Sequence, residues 1–241
     1  MLGLVNVYCY YCLMTYKITI SGSNGLIGRI IANELSTKDH ELVLLDKDDA
    51  DNPIDILTQD FASYLTGTDV VIHLAAHVSP FIGKELAHEN IRMCERMIRA
   101  CDADDSLKMI INASSVNVYP YYESYKQNEI ITSATPLSPN LKFPGEYAKA
   151  KIECESLFNE YCRKRNVLLI NLRLGHVNPR DTVPQSNENS PEDNEVERAI
   201  FLHHDDVRKI INSCLLLTES KPYACVSNKP RLFDESILFP L

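Results

Sequence analysis

Alternating blocks of apolar and polar residues divide the chain into short buried strands and longer helices. β-branched or leucine-rich runs bounded by turn residues indicate strands, whereas apolar residues that recur every three or four positions indicate helices. The predicted strands are 17–20, 41–46, 54–56, 69–74, 107–112, 167–172 and 223–226. The predicted helices are 26–35, 58–65, 83–100, 145–165 and 205–217. Strands that alternate with helices predict an α/β fold with a doubly wound parallel sheet and helices on both faces.

Two segments show no clear hydrophobic period. Residues 116–144 are rich in tyrosine and proline, and an irregular loop of that length in a compact domain usually has a function. Residues 178–197 are polar and acidic and contain several Pro, Asn and Ser residues, which predicts a flexible surface segment.

Three glycines at a spacing of three follow the first strand: Gly22, Gly25 and Gly28. The order strand, glycine turn, helix is the context that a dinucleotide-binding fingerprint requires. Gly22 would allow the tight turn, Gly25 would let the backbone approach a pyrophosphate, and Gly28 would let the helix pack on the sheet. The start of the helix offers N–H groups and a positive dipole end to phosphates. The alternative is a glycine-rich turn that binds no ligand.

The second strand ends in an acid, Asp46, about 20 residues beyond the glycines, where a carboxylate can accept hydrogen bonds from a ribose diol. The same charge would repel a 2′-phosphate, which favours NAD over NADP. The alternative is a solvated acid, because other aspartates lie close by in the sequence. Small residues after the next buried strand, Ala75 and Ala76, leave room for a ligand at the carboxyl edge of the sheet.

Charge and cysteine content narrow the class of protein. A net charge of −9 argues against nucleic acid or an anionic membrane as the main partner. Most of the eight cysteines fall within apolar helical patterns, so a reducing cytoplasm is the expected location. Residues 1–13 are expected to be an extension outside the fold, with Met14 as a possible true start. The isolated pair Cys9 and Cys12 has no second pair nearby, and no metal site is expected.

Tyr147 and Lys151 lie four positions apart in a predicted helix and therefore share one face. A free phenol is a poor base at neutral pH, and an adjacent ammonium stabilises the phenolate form. Such a pair is common by chance on helices. Its combination with the glycine fingerprint and with Ser115, 32 residues earlier, makes chance a poor explanation.

The sequence resembles the extended short-chain dehydrogenase/reductases, also called the NAD-dependent epimerase/dehydratase family. The matching segments run in the family's order from residue 17 to about residue 228. They are Gly22-x-x-Gly25-x-x-Gly28, Asp46, Asp55-Ile56, His73-Leu74-Ala75-Ala76, Ser114-Ser115-Val116-Asn117-Val118-Tyr119, Tyr147-x-x-x-Lys151, Arg173-Leu174-Gly175-His176-Val177 and His204-Asp205-Asp206-Val207. The resemblance implies a single Rossmann-type domain over 14–241 with a small, reduced C-terminal substrate region. Segments at about 116–145 and 176–204 are expected to contact the substrate.

The resemblance also implies roles for individual residues. Tyr147 would be the general base or acid, Lys151 would bind the nicotinamide ribose, and Ser115 would hydrogen-bond the reacting oxygen. The dinucleotide would be held by Tyr147 and Lys151 together with Gly22, Gly25, Leu26, Ile27, Gly28, Asp46, Asp55, Ile56, Leu74, Ala75 and Ala76. The substrate residues are predicted to be Ser79, Asn117, His176 and Arg198. For His73, His176 and His204 a structural role, bonded to the backbone, is the favoured interpretation.

Two departures from the family narrow the activity. Sugar-nucleotide 4,6-dehydratases resemble Thr-Asp-Glu where this chain has Ser115-Val116-Asn117, and elimination of water needs the missing acid and base. Few residues follow the last predicted strand, so little chain is left to form a lid over the pocket. This favours a small substrate. The compact length and the segments 173–175 and 223–228 look like the uronate-dehydrogenase-type branch, which oxidises a free sugar acid. An acid substrate would need a cation, for which Arg180 and Arg198 are the candidates.

Three functional hypotheses follow. The first is an NAD-dependent oxidoreductase that transfers a hydride at a hydroxyl or lactol carbon of a small sugar or sugar acid. The second is a nucleotide-sugar epimerase with tightly bound NAD, and the third is a non-catalytic NAD-binding regulator. The resemblance implies a homodimer formed through the helices at about 83–100 and 145–165. The partner otherwise expected is a small sugar-type molecule, with neither nucleic acid nor a membrane.

Overall fold

The computed structural model of the protein describes residues 15–138, 145–184, 190–228 and 232–240. The predicted extension 1–13, the proposed start at Met14 and the pair Cys9 and Cys12 lie outside these ranges. Parts of the two aperiodic segments, 139–144 and 185–189, lie outside them as well.

The described residues form a six-stranded sheet in which every neighbouring pair of strands is parallel. Its strand order is β2-β1-β3-β4-β5-β6. The strands are β1 (Lys17–Ser21), β2 (Glu41–Leu45), β3 (Val70–His73), β4 (Met109–Ser115), β5 (Leu168–Leu174) and β6 (Lys221–Cys225). The chain runs outward from β1 to β2 and then returns to place β3 on the other side of β1. This reversal creates the crevice at the carboxyl edge where ligands bind in such sheets.

Helices cover both faces of the sheet, which confirms the predicted fold class. The helices are α1 (Leu26–Leu35), α2 (Lys84–Cys101), α3 (Tyr121–Gln127), α4 (Glu146–Arg165), α5 (Pro191–Ala199) and α6 (His204–Cys214). On one face, α1 and α6 pack on Ile18, Ile20 and Ile72, and on the other, α2 and α4 pack on Val71 and Ile110. The strands of a sheet buried on both faces present apolar side chains to each side in turn. No helix in the described ranges is long and apolar enough to cross a membrane.

The predicted strand at 54–56 is wrong. Ile54 and Ile56 are buried against Val71, but the segment forms no ladder with the sheet. Asp55 instead organises a turn, since its side chain accepts from the backbone N–H of Leu57 and its carbonyl accepts from the N–H of Thr58. The apolar pattern that predicted a strand therefore belongs to a turn whose two isoleucines are buried. The predicted helix 58–65 is likewise reduced to a 3-10 turn, Ala62–Leu65.

Both aperiodic segments contain helices that the sequence analysis did not predict. In the second, α5 begins after Ser190, whose side chain accepts from the backbone N–H of Asp193, and Pro191 occupies the first turn. Val196 is fully buried on its inner face. The prediction of a flexible surface segment is therefore wrong for 191–197. The polar composition of this segment hid two helix signals, the cap residue Ser190 and the apolar Val196. In the first segment, α3 buries Tyr121 and Tyr122.

Candidate active site

The glycine turn at the end of β1 lets neighbouring backbone segments pack closely against it. Gly22 has φ +74°, and a Cβ there would lie 2.7 Å from the backbone nitrogen of Ala75. A Cβ on Gly28 would lie 2.1 Å from the carbonyl oxygen of Gly22. The turn, the start of α1 and the residues after β3 are thus pressed together. Because Gly25 caps α1 without a side chain, the first turn of the helix is left open toward the crevice.

Asp46 is fixed beside this turn at the end of β2. Its carboxylate accepts from the backbone N–H groups of Asn24, at 2.8 Å, and Asp48, at 2.9 Å. Arg29 donates from its Nε to the carbonyl oxygen of Asn24 at 2.7 Å, which ties α1 to the same loop. A carboxylate has lone pairs beyond these two bonds, so Asp46 retains the capacity to accept from a ribose diol.

One cleft of about 900 Å³ runs along the carboxyl edge of the sheet. It is lined by all the residues predicted to bind the dinucleotide: Gly22, Gly25, Leu26, Ile27, Gly28, Asp46, Asp55, Ile56, Leu74, Ala75, Ala76, Tyr147 and Lys151. Ser115 and three of the four predicted substrate residues also line it, namely Ser79, Asn117 and His176. Arg198 does not, because it lies on the exposed side of α5, and Arg180 is also exposed and outside the cleft lining.

Tyr147, Lys151 and Ser115 line the same cleft, and Ser115 is the last residue of β4. Lys151 is buried, and its ammonium donates to the carbonyl oxygen of Ala113 at 2.7 Å and lies 5.7 Å from the centre of the Tyr147 ring. The Ser115 hydroxyl oxygen accepts from the side-chain amide of Asn117 at 3.1 Å. The amide oxygen of Asn117 accepts in turn from the Tyr121 hydroxyl at 3.2 Å.

A buried polar network that the sequence analysis missed lies behind these residues. Arg173 of β5 forms two hydrogen bonds to Glu155 of α4, Nε to Oε1 at 2.9 Å and Nη2 to Oε2 at 2.7 Å. Glu155 also accepts from the Ser114 hydroxyl, and Arg173 donates to the Tyr119 hydroxyl. The position of Glu155, one turn after Lys151 on the same helix face, was the available signal. The network joins the strand that ends in Ser115 to the helix that carries Tyr147 and Lys151.

Acidic residues from α5 line the far end of the cleft, and the sequence analysis missed them too. Glu197 pairs with His176, with 2.8 Å between Oε2 and Nδ1, and Asp193 accepts from the Tyr122 hydroxyl. Both carboxylates line the cleft together with His176.

His73 and His204 have structural surroundings. His73 is buried, and its Nδ1 lies 2.8 Å from the Ser21 hydroxyl oxygen. Burial lowers the pKa of His73 to about 3. The Nε2 of His204 lies 2.9 Å from the carbonyl oxygen of Asn178. Neither histidine lines the cleft, whereas His176 does.

A doubly wound sheet with a glycine turn at its first crossover and an acid at the end of β2 defines a dinucleotide-binding protein. The sequence model of the NAD dependent epimerase/dehydratase family matches residues 18–192, and the chain belongs to that family of NAD-dependent enzymes. NAD is therefore the cofactor. The glycine cradle and the Asp46 carboxylate fit its pyrophosphate and ribose.

Several known proteins are similar to the chain. The uncharacterized protein YtbQ of Bacillus subtilis is 28% identical over 216 residues, which cover 83% of this chain and 80% of YtbQ. The uncharacterized UDP-glucose epimerase YtcB of the same organism is 28% identical over 191 residues, 65% of this chain and 55% of YtcB. An L-arabinose 1-dehydrogenase (NAD(P)(+)) of Haloferax volcanii is 25% identical over 205 residues, which cover 79% of this chain and 78% of the dehydrogenase. Among solved structures, uronate dehydrogenase from Agrobacterium tumefaciens shares the fold, with a TM-score of 0.70 and 21% identity. The match covers 92% of this chain and 81% of the chain of that structure.

Proposed function

We propose that the protein is an NAD-dependent oxidoreductase that acts at a hydroxyl or lactol carbon of a small sugar or sugar acid. The observation that carries this proposal is the convergence of the glycine turn, Asp46 and the set Ser115, Tyr147 and Lys151 on one cleft. Sugar dehydrogenation is also what the name of the Haloferax volcanii relative states.

The chain's own residues supply the proton transfer. Tyr147, as phenolate, takes the hydroxyl proton of the substrate and becomes a phenol, while the C–O single bond becomes a carbonyl. Lys151 stabilises the phenolate, and the carbonyl of Ala113 holds its ammonium in place. Ser115 donates its hydroxyl hydrogen to the reacting oxygen, oriented by the amide of Asn117. NAD⁺, when held by the glycine turn, Asp46 and Lys151, would supply the acceptor for the hydride of the same carbon.

The test is a panel of free sugars and uronic acids with NAD⁺, followed by the absorbance of NADH. We expect Tyr147→Phe to lose at least about a hundredfold in kcat, the usual contribution of a general base, and to keep NAD binding. Tyr125→Phe is the matched control, since Tyr125 bonds Glu195 and does not line the cleft. Equal turnover by wild type and Tyr147→Phe would refute the assignment of the base.

The same assays separate the alternatives. Interconversion of UDP-sugar isomers without added NAD⁺ would identify an epimerase. NAD binding with no turnover of any sugar would identify a regulator.

We also propose a homodimer formed through α2 and α4, which pack side by side on one face of the sheet. Sedimentation equilibrium would give twice the chain mass of 27.3 kDa. A mass of one chain would contradict the proposal.

A further inference from the structure

The oxygen of the Ser115 hydroxyl receives two hydrogen bonds from a single residue. The backbone N–H of Asn117 donates to it at 3.2 Å, and the side-chain amide of Asn117 donates to it at 3.1 Å. A serine hydroxyl has one hydrogen and two lone pairs. Because Asn117 donates to both lone pairs, the hydroxyl hydrogen is what Ser115 can still offer to a ligand in the cleft.

The local structure fixes the position of Asn117 and the orientation of its amide. Asn117 is the middle residue of the 3-10 turn Val116–Val118, and the valines on either side of it are buried. The hydroxyl of Tyr121 donates to the amide oxygen of Asn117 at 3.2 Å. This bond orients the amide with its oxygen toward Tyr121 and its nitrogen toward Ser115. Both Ser115 and Asn117 line the cleft.

We propose that Asn117 is a positioning residue that acts on the reaction through Ser115. Its two N–H groups make the Ser115 hydroxyl a pure hydrogen-bond donor and hold it at the cleft. This inference rests on the proposed oxidoreductase function and deepens it. It also gives Asn117 a different role from the substrate contact expected from the sequence.

A serine that can only donate determines the route of the substrate's proton. With both of its lone pairs engaged, Ser115 cannot relay that proton, so the proton passes directly to Tyr147. The reacting oxygen gains negative charge as the proton leaves, and the hydrogen bond from Ser115 strengthens with that charge. Loss of Asn117 should therefore lower kcat rather than raise KM.

The experiment is a double-mutant cycle on the sugar that the panel identifies, with kcat and KM measured for Asn117→Ala, Ser115→Ala and the double variant. We expect Asn117→Ala to lower kcat by at least about tenfold and to change KM by less than about twofold. In the Ser115→Ala background, the same change should lower kcat by less than about twofold, because the hydroxyl on which Asn117 acts is absent. A direct contact between Asn117 and the substrate would instead act in both backgrounds.

A second variant separates hydrogen bonding from packing. Asn117→Asp nearly keeps the shape of the side chain, but a carboxylate accepts and would take the Ser115 hydrogen away from the substrate. It should therefore lose at least as much kcat as Asn117→Ala. Asn212→Ala is the matched control, since the Asn212 amide donates to Glu34 at 2.7 Å and is outside the cleft lining. That variant should leave kcat and KM unchanged.

A crystal structure of Asn117→Ala adds a measurement that needs no substrate. We expect the Ser115 side chain to occupy a single rotamer in the wild type and more than one rotamer in the variant, because two of its hydrogen-bond positions are no longer both filled.

The inference and the proposed function fail in different ways. Additive single variants, an Asn117→Asp enzyme as active as the wild type, or an unchanged Ser115 rotamer in Asn117→Ala each overturn the role of Asn117 and leave the oxidoreductase function standing. Failure of every sugar with the wild-type enzyme overturns the proposed function, and the role of Asn117 in the reaction with it.

Discussion

Removal of the Arg173 guanidinium should lower the free energy of unfolding more than removal of any surface charge. In Arg173→Met, the carboxylate of Glu155 loses both of its bonds from the guanidinium and remains buried beside the Ser114 hydroxyl. Both members of the pair are only 7% exposed. A buried carboxylate without its counter-charge pays a desolvation cost that a single hydroxyl cannot offset.

The magnitude follows from burial. Breaking a buried ion pair by removal of one partner costs about 3–5 kcal/mol. In a chain of this size, each kcal/mol shifts the melting temperature by about 2–4 °C, so Tm should fall by roughly 6–20 °C. Activity should fall as well, because the network joins the strand of Ser115 to the helix of Tyr147.

Urea unfolding of a double-mutant cycle measures the effect. Arg173→Met combined with Glu155→Gln should be less destabilised than the sum of the two single variants by about 1–3 kcal/mol, because no buried charge is left unpaired. Lys164→Met is the control, since its ion pair with Glu160 is exposed to solvent and should leave the free energy of unfolding almost unchanged. A loss below about 1 kcal/mol in Arg173→Met, or strictly additive single variants, would refute the reasoning.

Three further predictions concern the glycine turn, the cofactor and pH. Gly28→Ala should abolish NAD binding or folding, because the new Cβ would lie 2.1 Å from a backbone oxygen, whereas Gly83→Ala meets nothing within 4 Å and should bind NAD normally by fluorescence titration. Asp46→Ser should weaken NAD binding by about tenfold or more and raise the NADP-to-NAD affinity ratio, since an ionic acceptor is lost and the repulsion of a 2′-phosphate is removed; an unchanged ratio would count against the assigned role. His73 has a native pKa of about 3, below its value near 6.5 in the unfolded chain, so the unfolded state binds the extra proton and stability falls as pH drops below 6.5. The contribution lost between pH 7.5 and 5 is about 2 kcal/mol, and His73→Gln should show a correspondingly flatter pH dependence of the unfolding free energy.

Local signals were sufficient for much of the fold. The prediction of helix 26–35 agrees with α1, and that of 145–165 agrees with α4 within one residue, because glycine punctuation and helical periodicity act over a few neighbours. The failures were also local in origin. Ile54 and Ile56 gave the same apolar signal as a strand although they pack from a turn, and the acidic composition around α5 obscured the cap formed by Ser190.

The amino-acid sequence by itself determined the class of this protein. The glycines are three residues apart, and Tyr147 and Lys151 are four residues apart, so backbone geometry over one turn fixes how the members of each set lie relative to one another. The tertiary structure alone decided which charged side chains line the cleft. Arg198 and Glu197 are adjacent in sequence, yet Arg198 faces outward while Glu197 lines the cleft, because the buried Val196 and the bonds at His176 set the rotation of α5. That rotation depends on packing between segments far apart in the chain, which no local pattern records.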